Sequence, residues 1–221
     1  MVEIVPAIIA RDIEEVKQKL ALIEGAVTWA QIDVMDGVFT PPVTFNDPAA
    51  LRDVTTTVRL EVHLMVARPE NSIDAWLDSP VARILVHYES TTPAMVHEMI
   101  RRGEKKGKEV GIALKFETPI SILDDFFAQH PSLRFIQLMG IAEIGYHGHP
   151  FEVKTLEKIS ALRAQHPDGI LEVDGGVSAE NISRIAQAGA SRIVAGSAIF
   201  KTDDPKRAYR ELVRLAENTE I

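Results

Sequence analysis

The chain has 221 residues, a formal net charge of −8 and no cysteine, which rules out disulfides and thiolate metal sites. Its length suits one large domain or two small ones, and 46% hydrophobic residues suffice for a sizeable core. The acidic balance and the lack of a basic stripe argue against nucleic acid, and no apolar run reaches the roughly 18 residues of a membrane span. An anionic small molecule stays open as a partner, because backbone amides bind anions whatever the net charge. MVEIVPAII is a poor signal peptide, so the expected location is cytoplasmic.

The first predicted element is a strand, EIVPAII, at 3–9. A helix follows at 12–24, with Ile13, Val16, Leu20 and Ile23 on one face and Asp12 as its cap. The second strand is WAQIDVM at 29–35, and a short helix is expected near 47–54. RLEVHLM at 59–65 is the third strand, followed by a short helix near 69–78. RILVHY at 83–88 and EVGIALK at 109–115 bracket a helix at 93–106. The basic run RRGEKK at 101–106 reads as the solvated end of that helix. After a helix at 119–129 come RFIQLM at 134–139, a helix at 152–165 and GILEVD at 169–174. A helix at 178–188 has Ser178 and Asn181 flanking its first turn. SRIVAG at 191–196 is the eighth strand, and Asp204-Pro205 opens the last helix, 205–217.

Eight strands alternating with eight helices imply parallel pairing with helical crossovers. The α/β arrangement that buries every strand edge is the (β/α)8 TIM barrel, with a doubly wound open sheet as its rival. No linker or composition shift divides residues 1–221, so a single barrel domain is expected.

In such barrels the chemistry sits at the C-terminal strand ends. Side chains alternate along a strand, so Gln31, Asp33 and Met35 share a face, as do Glu61, His63 and Met65, and Glu172 and Asp174. Asp33 and Asp174, from well-separated strands, offer two carboxylates for a two-base epimerisation: one removes a proton and the other returns one to the opposite face. The competing reading of each is a turn acid, a cap or a core ion-pair member. Asp36, before Gly37, is read as turn chemistry.

Gly175 and Gly176 follow the seventh strand, and Gly196 and Ser197 follow the eighth. Loops at these places form a recurring phosphate site in barrels, with tight βα turns as the bland alternative. His147, Gly148 and His149 lie on the long loop after the sixth strand, where His147 and Gly148 are expected to contact substrate.

VPAII, IDVMDGVFTPP, LEVHLMV, LVHYES, LEVDGGV and AGSAIF occur in the order and spacing of the ribulose-phosphate 3-epimerases, which the chain resembles over nearly its whole length. The resemblance implies interconversion of D-ribulose 5-phosphate and D-xylulose 5-phosphate through an enediolate, with Asp33 and Asp174 as the acid–base pair. It also implies Asp33, His63 and Asp174 as ligands of a divalent metal (Zn, Mn, Fe or Mg). Met35, Met65 and Met139 would pack around the reacting carbons, and Gly175, Gly176, Gly196 and Ser197 would hold the phosphate. A homo-oligomer is the expected assembly.

The chain departs from the family at Ala7, where serine is usual, and at Gln31, where a histidine ligand is usual. It departs again at Lys115, where asparagine commonly ends strand 5, and in the loop GIAEIGYHGHP. An amide oxygen is a weaker ligand than imidazole, so Gln31 predicts a metal that is weakly held, harder in character, or absent. In the last case Lys115 could stabilise the enediolate. Two other readings stay open: an epimerase for another ketose phosphate, such as a hexulose 6-phosphate, and a non-catalytic sugar-phosphate binder with a degraded metal site. A sugar-phosphate decarboxylase or aldolase is disfavoured, because LEVHLMV lacks the lysine of the Asp-x-Lys-x-x-Asp motif common in those decarboxylases.

Overall fold

A computed structural model describes residues 2–145 and 148–217. Its strands are β1 (Glu3–Ile8), β2 (Trp29–Met35), β3 (Arg59–Met65), β4 (Arg83–His87), β5 (Glu109–Leu114), β6 (Phe135–Met139), β7 (Ile170–Asp174) and β8 (Arg192–Ala195). They are joined in chain order into a closed barrel. All eight strands stand where the hydropathy pattern puts them, with ends moved by a residue or two. Near-continuous burial along each is what a parallel sheet covered on both faces requires.

The helices are α1 (Ile13–Ile23), α2 (Ile73–Leu77), α3 (Pro93–Lys106), α4 (Leu123–Gln129), α5 (Thr155–Gln165), α6 (Ile182–Gln187), α7 (Ser197–Phe200) and α8 (Pro205–Glu217). Local chemistry explains their ends. Asp12 accepts from the Glu15 N–H and buries Val16, Leu20 and Ile23 behind it. Thr92 and Pro93 open α3, and Gly107, at φ +66°, closes it in the left-handed conformation. Asp204 accepts from the Arg207 N–H at the start of α8.

The expected helix near 47–54 does not form. Only a 3-10 turn, Ala50–Asp53, stands there. Asp47 caps the turn by accepting from the Ala49 and Ala50 N–H groups, but the run Val54-Thr55-Thr56-Thr57 favours extended backbone and ends it. The segment near 69–78 splits into a 3-10 turn, Pro69–Asn71, and α2. The short α7 is an element that periodicity did not predict.

The chain forms two compact units, one from Ala7 to Ala113 and the other from Leu114 onward together with the strand residues up to Pro6. In the first unit the register sets Gln31, Glu61, Arg83 and Glu109 in one row, with Asp33, His63, Leu85 and Gly111 in the next. In the second unit Glu3, Arg192, Glu172 and Gln137 form one row, with Val5, Val194, Asp174 and Met139 above them. In the lower row Arg192 donates to both Glu172 and Glu3, burying a charged network at the N-terminal strand ends.

Candidate active site

Residues brought together at the ends of β2, β3 and β4 form a buried polar cluster. Asp33 is 5% exposed and His63 is fully buried. His63 Nδ1 lies 3.6 Å from Asp33 Oδ1. Gln31, also fully buried, places its amide Nε2 2.7 Å from Asp33 Oδ1 and 3.5 Å from His63 Nδ1. An amide oxygen there would set two acceptors face to face, so the N–H is the group that points at the carboxylate. On its other side His63 Nε2 is 2.8 Å from His87 Nε2, and His87 Nδ1 is 3.2 Å from Glu89 Oε2. For neutral imidazoles, the contacts among Gln31, His63, His87 and Glu89 are met when His87 donates Nδ1–H to Glu89 and His63 donates Nε2–H to His87. That leaves His63 Nδ1 as the lone-pair nitrogen facing Asp33 and Gln31.

Thr44 fixes the end of β2. Its hydroxyl donates to the Asp33 carbonyl oxygen and accepts from the Met35 N–H, both at 2.8 Å. Asp36 belongs to the turn, as expected: Oδ1 accepts from the Val38 and Phe39 N–H groups and Oδ2 from the Ala67 N–H. Burial alone would raise its pKa, but the N–H groups of Phe39, Ala67 and Val38 outweigh it and hold the carboxyl below the ordinary range.

In the second unit Asp174 ends β7, 8% exposed, and Gln137 Nε2 lies 3.2 Å from its Oδ2. Gln137 is a site neighbour that sequence reasoning missed. The available signal was a polar residue sharing the face of Met139 in an otherwise apolar strand. Met35, Met65 and Met139 are all buried at strand ends. Gly175 and Gly176 have φ of +103° and +70°, so both need glycine. A Cβ on Gly176 would sit 2.7 Å from the Phe151 backbone nitrogen, and one on Gly175 would strike Ile141. The Asn181 amide donates to the Gly176 carbonyl oxygen and so ties this turn to the start of α6. Gly196 caps α7, of which Ser197 is the first residue. Gly148 is exposed at φ +93°, whereas His147 lies outside the described residues. His149 is 4.0 Å from Glu143, and Lys115 is half-buried directly after β5.

Asp33 and His63 offer two ligand atoms 3.6 Å apart in the first unit, and Asp174 offers a carboxylate in the second. Two carboxylates and one imidazole suit a divalent cation. Two ligands on one tetrahedral ion with bonds of about 2.1 Å stand about 3.4 Å apart, close to the Asp33–His63 spacing of 3.6 Å. A separate cavity of about 330 Å³, lined by Phe127, His130, Arg134, Ile136, His166 and Leu171, opens toward the N-terminal ends of β6 and β7. It contains none of the expected site residues.

The model of the ribulose-phosphate 3 epimerase family matches residues 3–200. The chain belongs to this family. It is thus an enzyme of the carbohydrate-epimerase class. The ribulose-phosphate 3-epimerase of Schizosaccharomyces pombe is 33% identical over 95% of this chain and 92% of its own length. That of Bacillus subtilis is 30% identical over 96% and 98%. Among solved structures, 3-hexulose-6-phosphate synthase from Salmonella typhimurium superposes with a TM-score of 0.76 at 14% identity, covering 99% of this chain and 100% of that one. A structure of KGPDC from Streptococcus mutans gives 0.74 at 11% identity, covering 99% and 98%. At such identities these structures establish the barrel alone. Among the described residues, no helix is long and apolar enough to cross a membrane.

Proposed function

We propose that this epimerase interconverts D-ribulose 5-phosphate and D-xylulose 5-phosphate by moving a proton at C3 between two aspartates. The observation that carries the reading is a pair of buried strand-end carboxylates, Asp33 and Asp174, in a chain about one-third identical to enzymes named for that reaction. One aspartate, as carboxylate, accepts the C3 proton and becomes a carboxylic acid. The electron pair of the C–H bond passes into the enediolate. The other aspartate, entering as the acid, delivers its proton to the opposite face of C3.

Negative charge developing on the enediolate needs a fixed positive field. Asp33, His63 and Asp174 are the residues that would hold a divalent metal, which would supply that field when bound. Gln31 takes no part as a ligand in this reading, because its N–H faces Asp33. The buried Met35, Met65 and Met139 would exclude water from the reacting carbons. Gly175, Gly176, Gly196 and Ser197 would orient the phosphate, and His147 and Gly148 would cover the sugar. The same reading takes residues 1–221 as one catalytic domain. β1 runs from Glu3 to Ile8 and so contributes to both compact units, leaving neither with a complete ring.

The test is conversion of ribulose 5-phosphate in D2O, with deuterium at C3 followed by NMR, metal-free and with Mg²⁺, Mn²⁺, Fe²⁺ or Zn²⁺. Conversion is expected, and Asp33→Asn or Asp174→Asn should each slow it by about 100- to 10,000-fold. Binding without exchange under every metal condition sinks the reading. Exchange with a hexulose 6-phosphate but not with the pentulose transfers it to another ketose phosphate.

A further inference from the structure

Two buried glutamines stand in matching relation to the two aspartates. Gln31 and Gln137 are both fully buried. Burying an amide among strands is costly unless it is hydrogen-bonded. Each directs its Nε2 at a carboxylate: Gln31 at Asp33 Oδ1, 2.7 Å away, and Gln137 at Asp174 Oδ2, 3.2 Å away. Each also stands one row nearer the N-terminal strand ends than its aspartate. Gln31 precedes Asp33 by two residues on β2, and Gln137 pairs with Glu172, which precedes Asp174 by two on β7. The same donor is thus delivered from the same side in two separate units, once from the aspartate's own strand and once from the neighbouring strand.

We propose that Gln31 and Gln137 are a pair of positioning residues, each fixing the plane of one acid–base carboxylate. The proposal rests on the two-aspartate reading above. The carboxylate torsion of an aspartate is broad, so an unanchored carboxylate samples many planes. An amide N–H on one oxygen selects one plane and thereby aims the other oxygen. A neutral donor does this without placing a cation in the site. Gln31 serves His63 in the same way, 3.5 Å from its Nδ1, and Gln137 also reaches the sulfur of Met139 at 3.5 Å.

In a two-base epimerisation each aspartate serves one epimer. Weakening one aspartate therefore changes how the enediolate divides between return to the starting epimer and passage to the other. The experiment uses the full chain in D2O, started separately from ribulose 5-phosphate and xylulose 5-phosphate. It measures C3 deuterium in the recovered starting epimer relative to product formed. Gln31→Met and Gln137→Met, which keep side-chain volume, are expected to shift this ratio by about three- to tenfold, the effect of one lost hydrogen bond. Their shifts should run in opposite directions. A general loosening of the fold would move both the same way. Should either variant fail to fold by circular dichroism, Gln31→Asn and Gln137→Asn retain the amide but withdraw it, and they must show the same opposed shifts at smaller amplitude. Shifts of one sign, or none, in a wild-type enzyme that exchanges normally overturn the positioning role. Absence of C3 exchange in the wild type instead overturns the two-aspartate reading, and the proposal with it.

Discussion

Asp33 and Asp36 lie three residues apart at the exit of β2, and their surroundings divide their work. Asp33 is buried beside an imidazole and an amide, whereas Asp36 is wrapped by three backbone N–H groups of the following turn and of the loop after β3. Burial raises the Asp36 pKa and the N–H bonds lower it more, so the folded value lies below the ordinary 3.8. A depressed folded pKa means stability that is present above the unfolded value and lost as pH falls through the folded one. Asp36→Asn should therefore lower Tm near neutral pH. The gap from wild type should close as pH falls below about 4, in thermal melts across that range. Asp36's turn role was legible in the sequence from its glycine neighbour, and Asp33's inward place near the end of β2 from strand alternation and the family motif. Thr44 was not, because its partners are the backbone groups of Asp33 and Met35, reached only after the chain turns back.

At the scale of elements, the glycine-rich turn after β7 is built by close approach as well as by φ. Gly107 and Gly176 have nearly equal φ, +66° and +70°, so an added Cβ strains the backbone alike at both. At Gly107 that Cβ meets nothing within 4 Å, whereas at Gly176 it would sit 2.7 Å from the Phe151 backbone. Gly176→Ala should thus destabilise by about 1–3 kcal/mol more than Gly107→Ala, the range for overpacking, as read from chemical denaturation of both variants. A Gly107→Ala loss equal to that of Gly176→Ala would leave φ as the whole explanation. The sequence marked this turn as special but not why, since Phe151 lies 25 residues away from Gly176. The helix expected near 47–54 stops at one 3-10 turn for a local reason that a hydropathy pattern cannot weigh: the β-branched run Val54-Thr55-Thr56-Thr57 follows it.

Across the molecule, charge is buried at the N-terminal strand ends and the expected chemistry lies at the C-terminal ends. Arg192, 3% exposed, holds Glu172, fully buried, at 2.7 Å. Arg192→Met keeps much of the volume but leaves the carboxylate without that cation. The expected loss is about 3–5 kcal/mol, read from denaturation midpoints. The double variant Arg192→Met with Glu172→Leu should recover much of it, since removing both charges removes the stranded one. If the single variant is as stable as wild type, the buried pair contributes nothing to the barrel.

The eight strands, most helix ends and the strand-end positions of Asp33, His63 and Asp174 were determined by the sequence itself. Alternation, caps and turn residues act over a few neighbours, and the motif order carried the family. Tertiary structure alone decided how the buried side chains meet. Gln31 reads from sequence as a lost ligand, yet its amide faces Asp33 as a donor. Gln137 reads as an unremarked polar residue in a strand, yet it faces Asp174, 37 residues further along the chain. Alternation along β2 already set Gln31 beside Asp33 but not which end of its amide faces the carboxylate, whereas the Gln137–Asp174 pairing depends on the register between β6 and β7, which the spacing of residues along one strand does not carry.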